Sequence, residues 1–434
     1  MKRITTVLCL LVAVVVRADD FDVAVVGAGT AGIPAALAAA RTGARTVLLA
    51  RSDSIGGTMT RASVEWPGLF HAWGRQIIAG PGWDLVSNAC IRSGFKLPNF
   101  KRPYGTSHWK HQIRLKGRVY AALAQIALRQ AGVEIRTNNE VVGVFRTEFG
   151  WRLAGGGRTV EAKQIVDCTG NASVAALCGA LRERDEDNCQ PGSFAYVIDP
   201  GCDLKALDPE KLNAALDVAI AEGKVLATDC LGRPPYLYLD KRKMSNHIPG
   251  ADNSTVPLAE KANQLGIESM NRMLAFFRAQ PGLEKARVVW KAKETGVRET
   301  YRIIGDETVT ELDYFAGLRY PGAVAYSFYP IDIHTDEGVV PRQLLPGVVP
   351  TVPFGCMLPK GTENVLVAGR AVSSDRAANS ALRVQATCMA EGQAAGVAAA
   401  LAARRSMTPR EISVEDICEV LRSLGAIVPS KTGR

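Results

Sequence analysis

No C-x-x-C pair occurs among the ten cysteines of this 434-residue chain. Zinc ribbons and iron–sulfur sites are built on that spacing, so the sequence encodes no local metal centre. No long basic block accompanies the net charge of +9, which argues against a nucleic-acid partner. The chain has no internal repeats and no twin-arginine pair, only Lys2-Arg3. It also lacks an apolar run of the roughly 20 residues a stable membrane span needs. Hydrophobic content of 47% against 22% charged residues excludes a disordered chain and leaves an ample core.

The first 18 residues read as an export signal. Lys2 and Arg3 form a basic start, Thr5–Val16 an apolar stretch, and Ala18 a small residue before Asp19-Asp20. The expectation is a periplasmic or extracellular protein after cleavage, or a membrane-anchored one if the segment stays. Lys2, Arg3 and Arg17 leave with the signal, which takes +9 to +6. Cys9 leaves too, so the remaining cysteines are odd in number and cannot all pair within the chain. Outside the cytoplasm a disulfide is open, and Cys189 with Cys202 is the pair to test.

What is present is a phosphate-binding turn in its required context. The apolar run Val23–Val26 leads into Gly27-Ala28-Gly29-Thr30-Ala31-Gly32, then an alanine-rich helix and a second apolar strand, Thr46–Leu49. This is a βαβ unit opening with G-x-G-x-x-G. Gly27 permits the tight turn, Gly29 lets backbone approach a pyrophosphate, and Gly32 allows close helix–strand packing. The helix N-terminus then offers free N–H groups to phosphates. A glycine turn in an ordinary α/β protein is the bland alternative, and the turn alone does not say which dinucleotide binds.

Further along, helical spacing covers Leu115–Ala131 and strands are predicted at Val133–Arg136 and Val141–Phe145. A hairpin follows around Gly155-Gly156-Gly157, then a separate buried strand from Gln164 into Thr169-Gly170. Between Arg184 and Gly338 the pattern changes to mixed helices and strands. A buried strand then returns at Val365–Arg370, followed by one long helix, Ser380–Ala402, and a short amphipathic one, Asp416–Leu424. The predicted fold is α/β, a Rossmann-like dinucleotide-binding domain split by an inserted α+β substrate domain. The expected divisions are 1–18 signal, 19–184 and 339–412 nucleotide domain, 185–338 insertion, and 413–434 C-terminal helix and tail.

That split, with the motifs Ile55-Gly56-Gly57-Thr58-Met59-Thr60, Ile165–Ala172, Arg298–Asp313, Tyr329–His334 and Asn364–Gly396, resembles the FAD-dependent oxidoreductases of the glutathione-reductase-like superfamily. The family resembled includes flavin subunits related to heterodisulfide reductase. The resemblance implies FAD as cofactor. It places Gly27, Gly29, Thr30, Ala31 and Gly32 on the pyrophosphate and Gly56, Gly57 and Thr58 against phosphate or flavin. Thr169 and Gly170 fall near adenine, Gly369 and Arg370 near pyrophosphate and ribityl, and Arg383 and Val384 at a helix start facing the flavin. For Arg370 and Arg383 an interdomain or surface salt bridge is the other reading. The acidic residue that usually ends the second strand and holds ribose is replaced by Ala50, followed by Arg51. Asp53 is a substitute, and Arg51 also admits a 2′-phosphate.

His334, beside Asp332, is the leading candidate base for hydride transfer, with a structural histidine as the alternative. Arg298 and Arg302, near Glu299, are candidates for orienting an anionic substrate or for an internal ion-pair network. His71 is a further candidate. The expected partners are a small-molecule substrate and an electron acceptor: oxygen, a quinone or a redox protein. Two other functions stay open: a flavin subunit carrying electrons for a partner, and an FAD-binding protein without substrate chemistry.

Overall fold

The computed structural model describes residues 19–103, 107–186, 189–230, 234–236, 239, 244–339 and 341–430. The export reading falls on residues 1–18, outside them.

The βαβ unit consists of β1 (Asp19–Val26), α1 (Gly32–Arg41) and β2 (Thr46–Leu49). Next come β3 (Glu134–Arg136), a hairpin of β4 (Val141–Thr147) and β5 (Gly150–Gly155), and β6 (Arg158–Asp167). With β10 (Val365–Val367) they form one seven-stranded sheet in the order β3-β2-β1-β6-β5-β4, β10 pairing with β6. β6 is long enough to do two jobs. Arg158–Ala162 pairs antiparallel with β5, and Ile165–Asp167 pairs in parallel with both β1 and β10. The hairpin arm and the separate strand expected at Gln164 are therefore one strand. Val23–Val26 and β2 are buried throughout, as parallel strands covered on both faces must be.

One predicted helix is two. α5 (Arg376–Leu382) stops where Val384 turns extended, at ψ 138°, and α6 (Gln385–Arg405) starts afresh. α6 lies backbone to backbone on α1. A Cβ on Gly392 or Gly396 would stand 2.1 Å from the carbonyl oxygen of Ala31 or Ala35. The short α2 (Ser173–Leu177) follows β6. Its N-terminal N–H groups at Val174 and Ala175 donate to the buried Asp167 carboxylate, both at 2.8 Å.

Residues 192–297 hold a core of their own, whereas Val309, Tyr314, Val324 and Phe328 pack into the main core. β7 (Gly192–Asp199) pairs antiparallel with β8 (Met244–Ile248) and β9 (Arg287–Lys291). α3 (Pro209–Ala221) and α4 (Val256–Arg278) share with this sheet a cluster that includes Phe194, Tyr196, Leu216, Met273 and Phe277. All nine described cysteines are free thiols, so Cys189 and Cys202 are not bonded.

Candidate active site

The glycine turn has the shape its sequence demands. Gly27 sits at φ +103°, and a Cβ there would meet the Cys168 carbonyl at 2.4 Å; on Gly32 a Cβ would run into the Gly27 carbonyl oxygen. Gly29 is different, since the nearest atom to a Cβ there is the Gly57 Cα at 4.0 Å. The second glycine pair lies directly against the first: Gly56 N–H donates to Ala28 O at 2.7 Å, and Gly57 at φ +55° approaches Gly29. Ala31 begins α1 without any side-chain cap. Two glycine loops, open space at Gly29 and an uncapped helix N-terminus make a cradle that fits a pyrophosphate.

Other positions are occupied in ways the sequence did not show. Thr169 donates both its N–H (2.9 Å) and its hydroxyl (2.7 Å) to Asp167. Arg370 is a clamp. Its Nε donates to Gly170 O at 2.6 Å, Nη2 to Asn171 Oδ1 (2.7 Å) and Asn253 Oδ1 (2.8 Å), and Nη1 to Val297 O. Four of its five N–H donors are thus committed to the protein. In the backbone beside them, Gly369 N–H donates to Glu391 Oε2 at 3.0 Å and Arg370 O accepts from Asn379 Nδ2 at 2.9 Å. Val384 packs beneath Gly68, and Gln385 donates to Val64 O at 3.0 Å and Thr58 Oγ1 at 3.5 Å. At the ribose end Ala50 is buried, and Arg51 reaches Glu140 at 4.0 Å on the surface. Asp53 is held by Arg61 at 2.6 Å and Lys293 at 3.2 Å, which removes it as a free ribose ligand.

The candidate catalytic residues divide. Arg302 leaves the group: buried, it donates to Ser374 O (3.0 Å) and pairs with Glu299 (3.3 Å), a structural network shared with Arg376. Arg298, Arg383, Asp332 and His334 come together. His334 Nε2 meets Asp332 Oδ2 at 3.0 Å, and its Nδ1 meets His247 Nε2 at 3.0 Å. His247 Nδ1 in turn faces Thr335 O at 3.3 Å. Burial pushes the His334 imidazole down to about 4; Asp332 opposes this while Arg298 and Arg383 add to it. The ring is therefore neutral at pH 7, and neither of its nitrogens is free.

Close by, Tyr329 OH accepts from Gln112 at 3.0 Å and contacts His108 Nε2 at 3.2 Å. Asp332 acts electrostatically on both Tyr329 and His108, which places the two groups near the His334 cluster. His71 is stacked on Phe100, ring centroids 3.6 Å apart, with Trp83 at its edge. Burial and the neighbouring His111 push it down to about 4, and its Nδ1 is enclosed without a partner. That is a packed aromatic setting rather than an open catalytic one.

The sequence reading left out His108, His247, Gln112 and Tyr329 as site residues. His108 and Gln112 share one segment and His247 comes from β8, and neither carries a motif, while Tyr329 opens the Tyr329–His334 motif without being read as a site residue. The one available signal was scarcity: the chain has five histidines, and all five fall in these two clusters.

Residues 22–421 match the family described as FAD dependent oxidoreductase. Among curated proteins, the chain is similar to the mitochondrial 5-taurinomethyluridine-tRNA synthase subunit MTO1. For Macaca fascicularis the identity is 31% over 165 residues, 36% of this chain and 23% of that protein. For Mus musculus it is 38% over 101 residues, 23% of this chain and 15% of that protein. The chain thus spans less than a quarter of the length of these relatives. Similar solved structures include a geranylgeranyl bacteriochlorophyll reductase-like protein from Thermoplasma acidophilum, with 14% identity and TM-score 0.43, covering 94% of this chain and 84% of that one. The anhydrotetracycline hydroxylase OxyS from Streptomyces rimosus shows 13% identity and TM-score 0.43, covering 93% and 65%. With the parallel sheet and its glycine cradle in place, the match across residues 22–421 establishes that this chain belongs to the FAD dependent oxidoreductase family.

Proposed function

We propose that the protein oxidises a small organic or carbohydrate-type substrate at a carbon–hydrogen bond, and that the electrons then pass to oxygen, a quinone or a redox protein. Bound FAD supplies the hydride acceptor. Gly27–Gly32, Gly56, Gly57 and the Gly369-Arg370 backbone would hold it, and Arg383 with the start of α6 would face its ring.

The observation that carries the reading is the hydrogen-bond chain Asp332–His334–His247–Thr335. Both ends, a carboxylate and a carbonyl, accept only. His334 is neutral, and the carboxylate and carbonyl at the two ends of the chain can stabilise a proton that arrives from the substrate's hydroxyl or amine. A proton acceptor is what loss of hydride from an alcohol or amine carbon requires.

An anaerobic substrate screen tests this. Bleaching of the flavin by a small molecule alone is the expected result; bleaching only by a reduced protein would make the chain an electron carrier. His334→Ala is expected to slow flavin reduction about 10²- to 10⁴-fold, the usual range for a lost general base, while FAD stays bound. Reduction at the normal rate would remove the histidine pair from the chemistry. Export is also part of the proposal, on the strength of residues 1–18. The mass of the secreted protein checks it, with a mature chain starting at Asp19 expected.

A further inference from the structure

Arg298 and Arg383, beside the histidine pair, are not ion-paired with any carboxylate among the described residues. Arg298 Nη1 donates to Pro191 O and Nη2 to Ser193 Oγ at 2.7 Å. Arg383 Nη2 donates to Gln190 Oε1 at 3.0 Å and Asp332 O at 3.1 Å, and its Nε is buried without a partner. Every one of these partners is neutral. Among the described residues no carboxylate oxygen lies within ion-pair distance of either guanidinium. Asp332 is the carboxylate whose charge reaches both, and its Oδ2 already accepts from His334. Glu299, the other acid near Arg383, is shared by Arg302 at 3.3 Å and Arg376 at 3.4 Å.

The charges then follow. Arg298 and Arg383 give two positive charges and Asp332 one negative. His334 is neutral, and burial keeps the Tyr329 phenol protonated. One positive charge is left over on side chains that are only partly exposed. Burial, with Arg383 adding, pushes Arg298 down to about 9. An uncompensated buried charge is strongly unfavourable, and one bound monoanion removes it. A phosphate, at about −1.5 to −2 charges, over-corrects. A carboxylate matches both the single charge and the planar fork of a guanidinium.

We propose that Arg298 and Arg383 form a subsite for one carboxylate group of the substrate, beside the His247–His334 pair. The proposal rests on the oxidoreductase reading and narrows it: the substrate is an organic acid or an acidic sugar. The carboxylate would anchor the molecule, and the carbon to be oxidised would lie toward the histidine pair.

The test uses the FAD-loaded full chain. Acetate, glycolate and malonate are titrated against acetamide and glycolamide, with inorganic phosphate as a third arm. The flavin visible spectrum and the melting temperature are followed together. Saturable binding of the acids is expected, with the amides at least about tenfold weaker. Arg298→Gln is expected to weaken acid binding about 10- to 100-fold, the range for one lost hydrogen bond to a charged group. Arg298→Lys keeps the charge and should restore part of the affinity, which separates loss of the subsite from misfolding. Acids and amides binding alike, phosphate binding more tightly than the carboxylates, or an unchanged Arg298→Gln would each overturn the proposal. Melting needs no flavin, so the two readings fail separately. A chain that cannot be loaded with FAD yet melts higher with glycolate loses the oxidoreductase reading and keeps the subsite. A chain bleached by a neutral substrate but blind to carboxylates does the reverse.

Discussion

Individual histidines set how this protein answers acid. His71 and His334 are both held near 4, against an ordinary value of 6.5. Between those values the unfolded chain binds the proton and the folded chain does not, so folding is penalised as the pH falls. The stability they support is complete above pH 6.5 and is lost progressively toward pH 4. Each group contributes a slope of at most about 1.4 kcal/mol per pH unit, reduced by the solvent that still reaches these half-buried rings. His71→Phe keeps the stack on Phe100 and removes one titration. Its melting temperature should fall less steeply than wild type between pH 6.5 and 4, as a pH series of thermal melts will show. An unchanged slope would mean that His71 takes up its proton as readily in the folded chain as in the unfolded one. The glycine roles were legible in the sequence because each follows from backbone geometry: Gly27 and Gly32 stand where any Cβ collides. The histidine pair was not, because His247 arrives from β8 and His334 from a two-residue strand, His334–Thr335, far along the chain.

Elements were legible where the apolar period was regular and unclear where packing overrode it. β2 begins and ends where its apolar run does, at Thr46 and Leu49. The break between α5 and α6 left no trace, since Arg383 and Val384 are acceptable helix residues. Tertiary contact decides there: Val384 is wedged under Gly68, where a Cβ would lie 2.2 Å from its Cγ1. The break is useful, because it stops α5 at Arg383 and starts a new helix at the site. The crossing of α6 over α1 gives a test of packing against propensity. Gly396→Ala gains about 1 kcal/mol of intrinsic helix propensity. It also drives a methyl to 2.1 Å from the Ala35 carbonyl, which is backbone and cannot swing aside. Overpacking of that kind costs typically about 1–3 kcal/mol. The clash should prevail, giving a net loss of up to about 2 kcal/mol in chemical denaturation; a more stable variant would show that the two helices separate freely.

At the scale of the whole molecule, two kinds of contact join the inserted region to the nucleotide-binding sheet, and they should differ in strength. One is an ion-pair set near the surface: Arg61 with Glu294 at 2.7 Å and Asp53 at 2.6 Å, and Lys293 with Asp53 at 3.2 Å. Asp53 is more than half exposed, so these charges are well screened and such pairs are worth about 0–1 kcal/mol. The other is Arg370, which ties Gly170 and Asn171 at the end of the sheet to Asn253 and Val297 of the insertion through neutral oxygens. Arg370→Met leaves those buried acceptors short of a donor, at about 1–3 kcal/mol each where water cannot substitute. A loss of about 3 kcal/mol or more is expected from Arg370→Met, against about 1 or less from Arg61→Met. Limited proteolysis should open the Arg370 variant first within the insertion. Because Arg370 follows Gly369 in the cofactor cradle, the same variant should also retain less FAD through gel filtration, whereas Arg61→Met should keep it. If both variants behave alike, the joint between the two parts is made by apolar packing and neither arginine governs it.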